Sequence, residues 1–416
     1  MRGKTLGWLA AALTLCLVAA ACGDDAEDAP AAEPEAPAAA PETTAAPEAP
    51  ETTTTAAPEA PAEVTTTVPE APTEVADTLD ASDGTGMRIA VIYDGTLDQG
   101  GWQGSMDAGT QLLEDSMPGA EVLRVEAIDP GQSAQRAMTD LAEDGYHLII
   151  GTATYDADMA IVSAEYPDTA FLHACDATVT ANMGQYCLAV EEARYVDGAL
   201  AASLSETGQL GYVAGFGISF VLKPLNLFAA GARSVNPDAE VHVVFTNDWF
   251  DPSLELQAAN ALIDLGVDVL TYDLSSSAVP EVAAQRGAGF IGYGYDDARL
   301  QAPDSWLGGS LYNWGAAFVT TAQEVAAGTW EPGYIYGGYA DELLGYAEFG
   351  PSVPAEAQDL VDSLIADIAA GDLDVFAGPI VDRDGNIVVP EGESLDFFSR
   401  AICCEWVIEG VQGEIG

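Results

Sequence analysis

Positive charge is what this chain has least of. Twelve Lys and Arg stand against 67 Asp and Glu, a formal net charge of −55 over 416 residues. The only lysines are Lys4 and Lys223. A surface this acidic repels phosphate backbones and anionic headgroups, which excludes a nucleic-acid partner. It suits a secreted protein kept in solution by its carboxylates. Histidine is scarce as well: His147, His173 and His242 lie scattered in strand-like contexts, where core or edge roles are expected rather than bases or ligands. There is no Gly-x-Ser-x-Gly elbow, no Walker A loop, no Gly-x-Gly-x-x-Gly after a first strand and no His-Glu-x-x-His. Carboxylates are so abundant that pairing any two as acid and base would be arbitrary. No enzyme, metal or cofactor is expected.

Long apolar runs are missing except at the N-terminus. Arg2 and Lys4 precede an apolar run over 6–21, too short for a comfortable membrane span, and small residues then lead directly to Cys22. This resembles a bacterial lipoprotein signal, with Ala19 where leucine is usual. It implies a signal peptide over 1–21 and an acylated Cys22; the alternative is Ala-x-Ala cleavage with Cys22 incidental. Residues 22–86 contain no aromatics and are dominated by Ala, Pro, Glu, Thr and Asp. Such a segment cannot bury enough surface to offset chain entropy. A disordered, extended tether is expected there.

From Met87 the pattern changes. Apolar strand-like runs alternate with amphipathic helical segments: strands at 88–93, 121–126, 147–151, 170–173 and 185–190, with helices between, then a long helix over 192–205. The plan restarts with strands at 209–214, 240–246, 268–272 and 289–293. Alternation of this kind implies right-handed βαβ units and parallel sheets. Two doubly wound lobes are expected, 87–191 plus about 297–330 and 192–296 plus about 331–416. Strands at 306–311 and 334–339, helices at 316–327 and 355–369, and a hairpin over 380–389 complete the tail. In an exported chain disulfides are the default. Cys175 and Cys187 flank two adjacent short strands and are the expected bridge, although four cysteines with Cys403 and Cys404 leave three pairings open.

Ligands of open α/β sheets sit beyond the carboxyl ends of the strands. Tyr93, Asp94, Trp102 and Gln103 follow the first strand. Tyr155, Phe216, Trp249, Tyr293, Tyr295 and Trp314 also lie just after strands or at helix starts. Aromatic faces with a few carboxylates and amides suit a flat heterocycle or a sugar. Lys223 is expected on the surface.

The segments at 145–152, 164–173, 192–202, 207–214, 226–238, 247–252 and 261–270, in this order, resemble the basic membrane protein family of lipoproteins, related to purine nucleoside receptors. The resemblance runs from about Met87 to Gly413. It implies the type I periplasmic-binding-protein fold, α/β with two doubly wound parallel-sheet lobes joined by a multi-strand hinge. It also implies a substrate-binding protein of an ABC importer, monomeric, lipid-anchored on the extracytoplasmic face of the cell membrane, with permease subunits as partners. Trp102-Gln103 occupies the place of a Phe-Asn pair in nucleoside-binding members. Asp296 matches an aspartate that holds ribose hydroxyls, and Asn313-Trp314 stands where those members carry a lysine. Gln for Asn lengthens a polar arm and the missing lysine removes a charged donor, so the solute is expected to be flat and partly polar, a nucleoside or nucleobase first. The rivals are a sugar-binding receptor, a sensory receptor of the same fold, and a surface enzyme acting on nucleosides. Hinge crossings are expected near 190–194, 294–298 and 328–336.

Overall fold

In the computed structural model, residues 79–415 are described, except 397, 398, 401 and 402. The expected signal peptide, Cys22 and the tether up to residue 78 therefore lie outside the described residues. The end of the expected tether is folded, a correction to the boundary at Met87. Leu79 packs on the core, the Asp80 N–H donates to the Thr85 carbonyl at 3.0 Å, and the Gly119 N–H donates to the Asp83 carbonyl at 2.7 Å. One large aliphatic and a backbone turn are enough to tie down these residues.

The first lobe opens with β1 (Arg88–Ile92), α1 (Gly101–Ser116), β2 (Glu121–Val125), α2 (Gln132–Glu143), β3 (Leu148–Gly151), α3 (Asp156–Glu165), β4 (Ala170–Ala174) and β5 (Met183–Leu188). The second follows as α4 (Val190–Leu204), β6 (Gln209–Ala214), α5 (Ser219–Val235), β7 (Glu240–Phe245), α6 (Pro252–Asp264), β8 (Val269–Asp273), α7 (Ala278–Arg286), β9 (Gly289–Ile291), α8 (Asp297–Gln301) and β10 (Trp306–Gly308). Then come β11 (Ser310–Tyr312), α9 (Trp314–Ala327), β12 (Tyr334–Gly337), β13 (Leu344–Tyr346), α10 (Ala355–Ala370), β14 (Ile380–Val381), β15 (Ile387–Val389) and β16 (Val411–Gln412). Two six-stranded sheets result, ordered β12-β5-β4-β3-β1-β2 and β10-β9-β8-β6-β7-β16. Their strands pair in parallel, as in β1 with β3 (Ile89 opposite Leu148) and β6 with β8 (Leu210 opposite Val269). This is the expected doubly wound pair of lobes.

Strand pleat explains why β1 is apolar on both faces. Ile89 and Val91 join one core with Met106 and Leu113 of α1, while Ala90 and Ile92 join another with Met138 of α2 and Met159 of α3. Residues two apart share a face, so a strand covered by helices on both sides reads as a continuous apolar run.

The tail is shared differently from the expected division. Residues 297–308 stay with the second lobe, because β10 pairs with β9. The strand Tyr334–Gly337 belongs to the first, because β12 pairs with β5. The expected strand over 306–311 is in fact two, β10 in the second sheet and β11 in a separate antiparallel pair with β13. The crossings thus fall at 188–190, 308–314 and 337–344, so the second and third move from their expected places. Cys175 and Cys187 are bridged with their Cα atoms 4.6 Å apart, pinning β4 to β5, and Cys403 is bridged to its neighbour Cys404. The hairpin is present as β14 and β15.

Candidate functional site

Each sheet reverses its strand order beside its first strand, between β1 and β3 in one lobe and between β6 and β8 in the other. The loops leaving those strands form the natural ligand crevice. In the first lobe they carry Asp94, Trp102 and Gln103; in the second, Phe216 and Leu274–Ser277.

Glycine lets these loops meet. A Cβ on Gly101, at φ +54°, would collide with the Leu274 carbonyl, and one on Gly104 would lie 2.9 Å from the Tyr295 ring. The Gly101 N–H donates to the Asp297 carboxylate, whose pKa is raised by burial. The glycine-rich loop after β1 therefore serves close approach of the two lobes. Trp102 spans the same gap: its ring stands edge-on to Phe220 of α5 at 5.9 Å and to Trp314 of α9 at 5.2 Å. Its indole N–H donates to the Thr152 carbonyl at 2.9 Å, which fixes the ring plane.

Gln103 is only 5% exposed. Its Nε2 donates to Asp94 Oδ1 at 2.6 Å, while its Oε1 is buried and accepts nothing. A buried acceptor left open costs about 1–3 kcal/mol, a cost that a ligand's N–H or O–H would remove. Asp94 is itself pushed above the usual carboxylate range by burial, with the Gln103 hydrogen bond opposing. In the second lobe Glu255, at the start of α6, is fully buried. Its Oε2 accepts from Ser276 Oγ at 2.6 Å and its Oε1 is also open. Burial pushes this carboxyl up to about 7.

The structure brings some expected site residues together and separates others. Trp102, Trp314 and Tyr293 join one edge-to-face ladder through Tyr312, with centroid spacings of 5.2, 5.7 and 5.4 Å. Trp314 is fully buried and its indole N–H donates to Ser105 Oγ at 3.1 Å, so it fixes α9 on α1. Tyr93 and Tyr155 are corrections: their rings pack in the two cores of the first lobe. The Tyr93 hydroxyl bonds Thr110 Oγ1 at 2.5 Å and the Tyr155 hydroxyl donates to the Ile128 carbonyl at 2.7 Å. Phe216 and Trp249 form their own edge-on pair at 4.9 Å, with Trp249 37% exposed. Asp296 is paired with Arg299 at 3.1 Å, and it is the next residue, Asp297, that reaches the other lobe. Asn313 precedes α9 and its amide donates to the Glu342 carbonyl at 3.2 Å.

Three residues escaped the sequence reading. Phe220 carried the signal of an aromatic at a helix start, and Glu255 had none. Lys223, expected on the surface, is 2% exposed and paired with Glu191 at 3.1 Å. Being the lone lysine of the folded part was its signal. The histidines are structural: His173 Nε2 accepts from the Tyr155 N–H at 3.0 Å and its Nδ1 faces Gln185 Oε1 at 3.1 Å. Burial lowers its pKa. Among the described residues no group of three or more His, Cys, Asp or Glu could hold a metal ion.

Residues 87–362 match the family model described as ABC transporter substrate-binding protein PnrA-like. A purine-binding protein of Brucella abortus is 34% identical over 312 residues, covering 74% of this chain and 89% of its own. TsgA13 of Haloferax volcanii, named as an ABC transporter glucose-binding protein, is 32% identical over 335 residues, covering 80% and 82%. Among solved structures, an ABC transporter solute-binding protein from Conexibacter woesei is similar with a TM-score of 0.59 at 22% identity, covering 70% of this chain and 98% of that one. One from Aeropyrum pernix reaches 0.60 at 18% identity, covering 69% and 92%. These two similarities concern the fold.

Proposed function

The chain belongs to the PnrA-like family of ABC transporter substrate-binding proteins, a family of receptors and not of enzymes, and on that premise we propose that it captures a purine nucleoside or nucleobase between its lobes and presents it to a membrane permease. In this reading Cys22 carries the lipid, the tether spaces the lobes from the membrane, and closure is populated by ligand contacts to both lobes.

The open Gln103 Oε1 beside Asp94, next in sequence to Trp102, is the observation that carries the proposal. A fixed indole offers an apolar surface to a flat ring, while a carbonyl oxygen and a carboxylate accept from the N–H groups along that ring's edge. The purine-binding relative supports the same class. A sugar is the second reading, favoured by the comparably similar glucose-binding relative and by the partly exposed Phe216–Trp249 pair, on which a sugar face would stack.

A thermal-shift panel of inosine, adenosine, hypoxanthine and glucose tests this. A solute at a hundred times its Kd adds about 2.7 kcal/mol to stability. Stabilisation by the purines supports the proposal; a response to glucose alone replaces it with the second reading. Cys22→Ala is expected to release the protein from membranes, and unchanged retention would refute the lipid anchor.

A further inference from the structure

One short stretch of α4, just past the first chain crossing, grips the second and the third. Asp197 Oδ1 accepts from both the backbone N–H and the hydroxyl of Ser310, on the second crossing, at 3.0 Å each. Glu192 accepts from the Tyr339 N–H, on the third, at 3.1 Å. Glu191, one residue into α4 from the first crossing, accepts from the hydroxyl of Tyr336 on β12. Its other oxygen pairs at 3.1 Å with Lys223 of α5. Lys223 also donates to the Arg400 carbonyl at 3.1 Å.

Of these contacts, the Glu191 cluster alone joins side chains from both sheets' packing. Tyr336 lies on a strand of the first sheet, whereas Lys223 lies on a helix of the second lobe, and Glu191 sits between them where the chain passes from one to the other. Glu191 and Lys223 are each 2% exposed. Burying an ion pair is costly and contributes little net stability. A pair held dry at the pivot therefore fixes geometry more than it adds stability. The hydroxyl of Tyr336 is the one part of this cluster carried by the first lobe, whereas the carboxylate it meets is carried by the second.

We propose that Glu191, its buried charge balanced by Lys223, is a positioning residue for solute capture: through Tyr336 it holds the lobes at the angle at which Trp102 meets Phe220. It touches no solute. The claim builds on the capture reading above, yet it concerns the lobe angle, which can be measured with no solute present.

Fluorine NMR of the full chain labelled with fluorotryptophan tests it, with the Trp102 resonance assigned by Trp102→Phe and its uncontacted position defined by Phe220→Ala. In Tyr336→Phe the Trp102 resonance is expected to move toward that uncontacted position without solute, and inosine to bind roughly fivefold to tenfold more weakly, because the competent fraction falls. Lys223→Met combined with Glu191→Gln removes both charges but keeps an acceptor for Tyr336, and is expected to retain the wild-type resonance. A Trp102 resonance unmoved by Tyr336→Phe, or moved equally by the paired variant, overturns the proposal. If wild type binds no inosine, the nucleoside reading fails on its own, and the solute-free resonance still decides the role of Glu191.

Discussion

The two faces of the cleft are built on one plan and furnished differently. Each begins at the point where a parallel sheet reverses strand order, and each buries a side-chain oxygen with no partner there, Gln103 Oε1 in the first lobe and Glu255 Oε1 in the second. The first is a neutral amide clamped by Asp94, next in sequence to an indole that is itself tied to Thr152. The second is a carboxyl pushed up to about 7 by burial, with the Ser276 hydroxyl donating to its other oxygen. The Gln103 amide itself does not titrate, so its oxygen reads a solute's donors in the same way at any ordinary pH. A carboxyl that titrates near neutrality makes its lobe sensitive to conditions. The difference suggests a division of labour, recognition by the first lobe and adjustment by the second.

Trp102→Ala should break the arrangement most severely. It removes the contacts to Phe220 and Trp314, and a loss of about 3 kcal/mol in unfolding free energy is expected by denaturant titration. Solute binding should fall with it. Gln103→Leu separates the two quantities. Inosine affinity should drop about tenfold to a hundredfold in calorimetry, for a lost contact of about 1–3 kcal/mol. The ligand-free melting temperature should fall by less than the affinity does, since the open buried acceptor is gone while Asp94 loses its Gln103 donor. Loss of stability without loss of affinity would make Gln103 a scaffold residue instead.

The second lobe's carboxyl gives a pH signature. The folded chain holds the Glu255 proton more tightly than the unfolded chain, about 7 against an ordinary 4.5. Its contribution is therefore fully present below about 4.5 and is lost as pH rises toward 7. Glu255→Gln should flatten the stability profile across that window by about 1–3 kcal/mol, while Gln103→Leu should leave the Glu255 part of the profile in place. Glu192, also raised to about 7 by burial, contributes in the same direction, so the variant should flatten the profile without levelling it. The smallest effect is expected from Trp249→Ala at the cleft's partly exposed edge: under about 1 kcal/mol in stability, and a change in glucose affinity only if a sugar is the solute.

Much of the fold was legible because its strands are buried on both faces. Runs such as Leu148–Gly151 are apolar throughout, and their alternation with helices leaves few topologies open. The tail was harder for the same reason. Residues 306–311 look like one strand locally, and their division between a lobe sheet and the β11–β13 pair depends on partners distant in sequence. Placement was legible where position decides direction: Asp94 and Gln103 meet at the first sheet's reversal point. Tyr93 and Tyr155 show the limit, since an aromatic after a strand can turn into the cleft or the core, and both found hydroxyl partners inside. Lys223 misled because a charged side chain suggests solvent, while the carboxylate that permits its burial, Glu191, sits on another helix.

Calorimetric titration of inosine into the full chain, beside its Gln103→Leu variant, tests the central claim most directly. Saturable binding of one inosine per chain, weakened at least tenfold in the variant, is the result expected. Equal affinity in both proteins, or saturation by glucose with no heat from inosine, would contradict it.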